Sequence, residues 1–206
     1  MDSCVADTIP YPWPFDAADG LAPERLALVV AGAQACWATD AADTLGRIES
    51  LATTLRAHGV LVVFVRHTRP LRTRRRRDDL PLAHTRAWEL VVANWPRDVV
   101  VDAMGCDGFH GSDLDGALRG HGRDHLVLAG LASEVLVDST QRSANDRGYE
   151  CLVLRDVVRP FHPDTGERVL ASVTMSGGIF GAVGDSDALL AALASRRVAE
   201  PATTRP

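Results

Sequence analysis

The sequence predicts an α/β protein, a three-layer α/β/α sandwich around an open, mostly parallel sheet of about six strands. Three observations carry this expectation. Short, continuously apolar runs recur along the 206 residues, and such runs suit strands buried on both faces. Segments with helical apolar spacing separate them. No repeat or shift in composition divides the chain, so one domain is expected.

The strands read as LALVVA (26–31), VLVVFV (60–65), DVVV (98–101), HLVLAG (125–130), ECLVLR (150–155) and GIFGAV (178–183). Between the first two, Leu45, Ile48, Leu51 and Leu55 share one helical face, closed by Gly59. A second helix is expected at SDLDGALRGHG, with Ser112 as its cap and Asp115 complementing it. A third runs from Ser133, its expected N-cap, to Arg147 and stops at Gly148. Strand and helix in alternation require right-handed crossovers. Residues 1–20, with IPYPWPF carrying Trp13 and Phe15, read as an extended N-terminal arm. The α/β domain spans 21–196, and 197–206 reads as a flexible tail.

Hydrophobic residues make up 46% and charged residues 24%, the balance of a globular chain. No apolar run is long enough to span a bilayer, and the first residues lack a basic leader and an apolar core. A cytoplasmic protein without membrane contact is therefore expected. The formal net charge of −5 gives no general reason to expect nucleic acid. Cys4, Cys36, Cys106 and Cys151 are widely spaced and form no CxxC pair, so reduced thiols are expected, with no structural zinc.

Ligands of open parallel sheets sit beyond the carboxyl ends of the strands. The informative segments are therefore Gly32 to Trp37, His67 to Arg69, Asp102 to His110 and Leu131 to Leu136. In these and their surroundings the chain resembles the isochorismatase-like cysteine hydrolases, closest to members acting on ureido and carbamoyl compounds such as biuret hydrolases and ureidoacrylate amidohydrolases. The resemblance lies in IPYPWPFDAADGLAPERLALVVAGAQACW, in GFHGSDLDGALRGHGRDHLVLAGLASEVLVDSTQRSANDRGYECLVLRD and in VTMSGGIFGAVGDSDALLAAL. It implies the Rossmann-like sandwich already expected, and a triad of Asp, Lys and Cys.

Matching the family's motifs puts other residues at those three places. Gln34 aligns with the glutamine of an I-D-M-Q type motif, which sets Gly32 at the aspartate. Phe109 matches the phenylalanine six residues after the lysine, which sets Ala103 there. GLASEVLV stands for G-x-x-T-x-V-C-V, so Leu136 takes the place of the nucleophile. Such a thiol works as a thiolate held beside a cation. Losing one charged partner alone strands the other, at a typical cost of about 3–5 kcal/mol, so joint replacement is the coherent change. The resemblance also implies an oxyanion hole of backbone N–H groups and a non-proline cis peptide, here Leu131–Ala132.

The expected ligand-facing set is Gly32, Gln34, Trp37, His67, Ala103, Phe109, Leu131, Ala132, Ser133 and Leu136. The leading expectation is a pseudoenzyme that binds a small polar molecule or an active paralogue and uses no metal or cofactor. The alternative is a repurposed enzyme: an isomerase, cyclase or lyase, or a hydrolase with a relocated nucleophile. Its candidate groups are Asp102, Cys106, Asp107, His110 and Ser133; Cys106 is the better relocated thiol and Cys36 the other. The metal-binding D-x-H of nicotinamidases is not reproduced by HTRPLRTRR, so His67 and His110 are not expected to hold a metal. The arginine-rich run with Arg69, Arg72 and Arg74 to Arg77, followed by Asp78 and Asp79, is either an anion contact or a solvated loop. Trp88 and Trp95 are expected in core or subunit contacts. The resemblance implies a homo-oligomer, dimer or tetramer, or a hetero-oligomer with an intact paralogue, and SDALLAAL is a candidate for that packing.

Overall fold

Residues 21–70 and 80–199 are described by a computed structural model. The expected N-terminal arm with Trp13 and Phe15, the run from Arg72 to Asp79, and residues 200–206 lie outside them. Six strands, β1 (Leu26–Ala31), β2 (Leu61–Thr68), β3 (Val99–Met104), β4 (His125–Leu131), β5 (Glu150–Arg159) and β6 (Ala182–Gly184), form one sheet in the order β3-β2-β1-β4-β5-β6. Every pairing is parallel. Each residue of β1 and β4 is buried, as expected of central strands covered on both faces.

Alternate side chains of the strands feed two separate cores. On one face Leu28, Val30, Phe64 and Val127 meet Ile48, Leu51 and Leu55 of α1 (Ala42–Ala57). Leu189, Ala192 and Leu193 of the C-terminal helix Ser186–Ala199 join the same core. The stripe in SDALLAAL is therefore spent inside the chain. On the other face Val29, Val63, Val101 and Leu128 pack with Leu114 and Leu118 of α2 (Leu114–Gly120) and Ala144 of α3 (Asp138–Asp146). The helices α4 (Pro163–Val173) and α5 (Met175–Gly178) lead into β6, and the C-terminal helix is α6.

Several boundaries differ from the sequence reading. β2 and β3 extend each other through the pairs Arg66↔Asp102, His67↔Ala103 and Thr68↔Met104, so His67, Asp102 and Ala103 are strand residues and not loop residues. β5 continues to Arg159 for the same reason, paired beyond a bulge through Gly130↔Val158 and Leu131↔Arg159. The sixth strand is only Ala182–Gly184, because Ser176 and Gly177 turn the chain through positive φ before it. The cap of α2 also differs. Asp113 occupies the N-cap, while the Ser112 hydroxyl accepts from Leu114 N at 3.2 Å and donates to Gly108 O. Asp115 does not reach back to complete a capping box, since its carboxylate accepts from the Tyr149 hydroxyl at 2.8 Å and from Arg119.

The chain leaves β1 toward one edge of the sheet and returns at β4 to build the other, so β1 and β4 flank the switch point. Their approach there is close. A Cβ on Gly130, whose φ is +132°, would fall 1.9 Å from the backbone oxygen of Ala31. Gly130→Ala should therefore cost more than about 4 kcal/mol in urea unfolding, or prevent folding. Gly46→Ala on the exposed face of α1, where an added Cβ meets nothing within 4 Å, should stabilise by roughly 0.5–1 kcal/mol.

Candidate functional site

Open parallel sheets place their ligand crevice at the switch point, which is framed here by the segments that follow β1 and β4. Gly32 leaves β1 at φ +69°, its N–H donating to Val65 O at 3.2 Å. A Cβ placed on it would lie 2.1 Å from Leu131 O and 2.5 Å from Leu136 Cδ1. The leucine methyl could swing aside, but the Leu131 carbonyl belongs to backbone, so this conformation accepts only glycine. Leu136 thus lies directly against the bare backbone of Gly32.

β4 leads through a cis Leu131–Ala132 peptide into a π-helical turn, Ser133–Val137, that continues as α3. The cis bond falls where the sequence resemblance implied one. The N–H groups of Val135, Leu136 and Val137 all donate to Ala132 O, at 3.2, 2.9 and 3.3 Å, which makes Ala132 the N-cap. Ser133 is consequently not the cap expected of it. Buried at 2% exposure, its hydroxyl donates to the Glu134 carboxylate at 3.3 Å.

Glu134 was not singled out by the sequence reading, yet it ties the crevice to α4. Its carboxylate accepts from Phe161 N, His162 N and the Thr165 hydroxyl at 2.9–3.1 Å. Burial works against its charge, but backbone N–H groups and the Thr165 hydroxyl prevail and hold the carboxyl below the usual range. Glu two residues before the expected nucleophile position and a Pro163 at the start of a helix were the available signals.

Gln34 is fully buried and spent on structure. Its Oε1 accepts from His67 N at 2.7 Å, and its Nε2 donates to His67 O and Trp88 O at 3.1 and 2.9 Å. One amide thereby locks the loop after β1 to β2 and to the short turn Arg86–Trp88. The His67 ring points elsewhere. Its Nδ1 lies 3.0 Å from Gly105 O, which requires the proton on Nδ1 and leaves Nε2 a bare acceptor. That Nε2 is buried without a hydrogen-bond partner among the described residues. Burial pushes the imidazole down to about 4, against the opposing pull of the Gly105 carbonyl and the Asp107 charge. His67 is therefore neutral throughout the physiological range.

Ala103, Phe109, Trp37, Leu131 and Leu136 meet in one apolar cluster. All ten residues expected to face a ligand are buried, and the most exposed aromatic among them, Trp37, reaches only 8%. The structure brings the Gly32, Ala103 and Leu136 region together as hydrocarbon and backbone, with His67 beside it as register partner of Ala103. Phe109 is committed to Tyr149, with ring centroids 5.8 Å apart.

The proposed acid–base groups do not converge. Asp102 is held bidentate by Arg66 at 2.7 and 3.0 Å, and Arg66 stacks 3.7 Å from the Trp88 ring centroid. Asp107 accepts from Phe109 N and from the Ser143 hydroxyl, both at 2.8 Å, fastening the β3–α2 loop to α3. His110 is exposed, and Cys106 is half-buried beside the α2–α3 core. Cys36 reaches the surface, yet desolvation of its thiol pushes it up to about 11, so it is a protonated thiol at neutral pH. Among the described residues no group of three or more His, Cys, Asp or Glu could hold a metal ion. No described helix is long and apolar enough to cross a membrane.

Comparison with known proteins agrees with this fold. A family description of the isochorismatase domain matches residues 26–187. A ureidoacrylate amidohydrolase of Pantoea ananatis is 26% identical over 187 residues, covering 72% of this chain and 75% of that protein. An isochorismatase family protein of Burkholderia thailandensis superposes with a TM-score of 0.71 at 27% identity, covering 83% of this chain and 96% of its own. A cysteine hydrolase of Pseudomonas syringae pv. phaseolicola 1448A shares the fold, with a TM-score of 0.76 at 23% identity over 95% of this chain and 100% of that one. With a parallel sheet in this order and a domain match over most of its length, the chain belongs to the isochorismatase family.

Proposed function

We propose that this protein is a non-hydrolytic member of its family, which acts by binding a small polar molecule at the β1–β4 crevice. One observation carries the reading: the chain has 22 arginines and no lysine. An Asp-Lys-Cys arrangement then has no amine to draw on, whichever residues are aligned. The arginine guanidinium is charged at all working pH values and cannot exchange protons as an amine can. Leu136 against Gly32 supports the same conclusion, since that contact is made of a methyl group and bare backbone. The neutral His67, with its buried and unpartnered Nε2, supports a ligand that brings an N–H or O–H group. Ureido and carbamoyl compounds carry such groups.

A second reading rests on a different observation. Phe161, Met175 and Ile179 expose 45%, 50% and 55% of their surface, and Phe161 is bonded through its N–H to Glu134 beside the crevice. Exposed apolar groups of this kind suit pairing with an intact relative.

Incubation of the purified protein with ureidoacrylate or biuret should release no ammonia above a buffer blank. Turnover that persists through repeated chromatography and disappears in Cys106→Ser would overturn the proposal in favour of a relocated nucleophile. For the second reading, native mass measurement of a mixture with the Pantoea enzyme should show a mixed species; separate species in all mixtures would refute it.

The His67 ring supplies a pH prediction with a definite sign. Its folded pKa, about 4, lies below the ordinary 6.5, so the unfolded chain binds the extra proton between these values. Stability should fall as pH drops from about 6.5 to about 4, by on the order of 3 kcal/mol. His67→Gln should flatten that part of the urea-midpoint profile. In NMR spectra the wild-type ring should stay as the Nδ1–H tautomer down to pH 5.

A further inference from the structure

At the opposite end of the sheet, where the strands begin, two cavities adjoin. The larger holds about 620 Å3 and lies between the end of α1, the start of β2 and the turn around Trp95 to Asp98. The smaller, about 390 Å3, shares Ala57, Gly59 and Arg123 with it. The larger volume is that of an ordinary small-molecule pocket.

Its walls divide by chemistry. Val60, Leu61 and Pro96 present hydrocarbon, and Trp95, 52% exposed, offers an open indole surface. Arg56 lies over that ring, 5.1 Å from its centroid, but its charge is already committed. It grips Asp98 through two bonds of 2.8 and 2.6 Å, a pair buried to 12% and 2% side-chain exposure, and adds no net charge to the cavity.

The positive charge comes from Arg97 and Arg123. Nη1 of Arg123 donates to Pro23 O at 2.6 Å. Its Nε is buried and meets no acceptor among the described residues. Burial lowers the pKa of this guanidinium and the charge of Glu24, at the rim of the smaller cavity, raises it. A guanidinium edge presents parallel N–H groups that fit a carboxylate, whereas a multiply charged phosphate calls for more cations than this mainly apolar pocket provides.

We propose that this cavity is a binding site for a flat aromatic or heteroaromatic carboxylate, its acid group drawn to the positive charge of Arg97 and Arg123 that line the cavity and its ring against Trp95. The site is separate from the β1–β4 crevice and does not depend on what binds there. It gives the protein a second ligand position at the other end of the same strands.

Calorimetric titration of the full chain with indole-3-carboxylate, against indole-3-carboxamide as the neutral control, tests this. The carboxylate should bind with a dissociation constant below about 1 mM and the amide at least roughly tenfold more weakly. Arg123→Gln should weaken the carboxylate by about tenfold or more and bring the two ligands to similar affinity. Should that variant fail to fold, Trp95→Ala, at a half-exposed position, decides the matter and should weaken both ligands by about fivefold or more. Equal binding of acid and amide to the native protein, no heat with either at about 10 mM, or undiminished binding by a folded variant would each overturn the assignment.

Discussion

The closeness of β1 and β4 at the sheet's switch point governs much of what surrounds it. Parallel strands pair at a fixed spacing, but at Gly130 the backbone of β4 presses on Ala31 so tightly that no side chain fits. One residue beyond Ala31 the same pressure recurs in the other direction, with the Leu131 carbonyl against Gly32. The register of β5 slips at this level, and the chain departs from β4 through a cis peptide. The floor of the crevice is set by this backbone contact, and side chains adapt to it.

What adapts is informative. A leucine methyl covers Gly32, and alanine stands in the strand beside His67. Around this apolar patch the polar groups are engaged elsewhere: Gln34 bridges β1 to β2, Glu134 receives the start of α4, Asp102 pairs with Arg66 and Asp107 holds Ser143. Each is satisfied, and each stiffens a loop that frames the crevice. The His67 Nε2 stands apart from that economy as a buried acceptor without a donor. Together these features make a tightly packed, largely apolar switch point whose polar side chains are mostly engaged with neighbouring loops.

The two ends of the sheet differ electrostatically. At the carboxyl ends the crevice residues are neutral or paired, whereas at the amino ends arginine dominates and one guanidinium has an unused, buried N–H. Arginine without lysine reinforces the contrast, because its planar fork favours directional, paired contacts over a diffuse positive surface. The pairs Arg56–Asp98, Arg25–Asp124 and Arg66–Asp102 follow that pattern along the sheet.

By itself the sequence determined the order of the strands and of the first three helices, the two-sided burial of the sheet and the family resemblance, because continuous apolar runs and the segments around GLASEVLV and ANDRGYECLVLRD are local signals, whereas α4, α5 and α6 were not read from it. It also named Trp37, Ala103, Phe109, Leu131 and Leu136, which share one apolar cluster, and it held the absence of lysine in plain view. Only the tertiary structure decided how those residues are used. The length of β2 and β3 came from mutual pairing, which turned His67 and Ala103 from loop into strand. Ser133 lost its expected capping role because three N–H groups converge on Ala132 O. The fit of Leu136 on Gly32, the orphaned nitrogen of His67 and the cavity below Arg123 arise from contacts between segments distant along the chain. No periodicity encodes such contacts, since they depend on angstrom-scale distances that exist only once the sheet has closed around them.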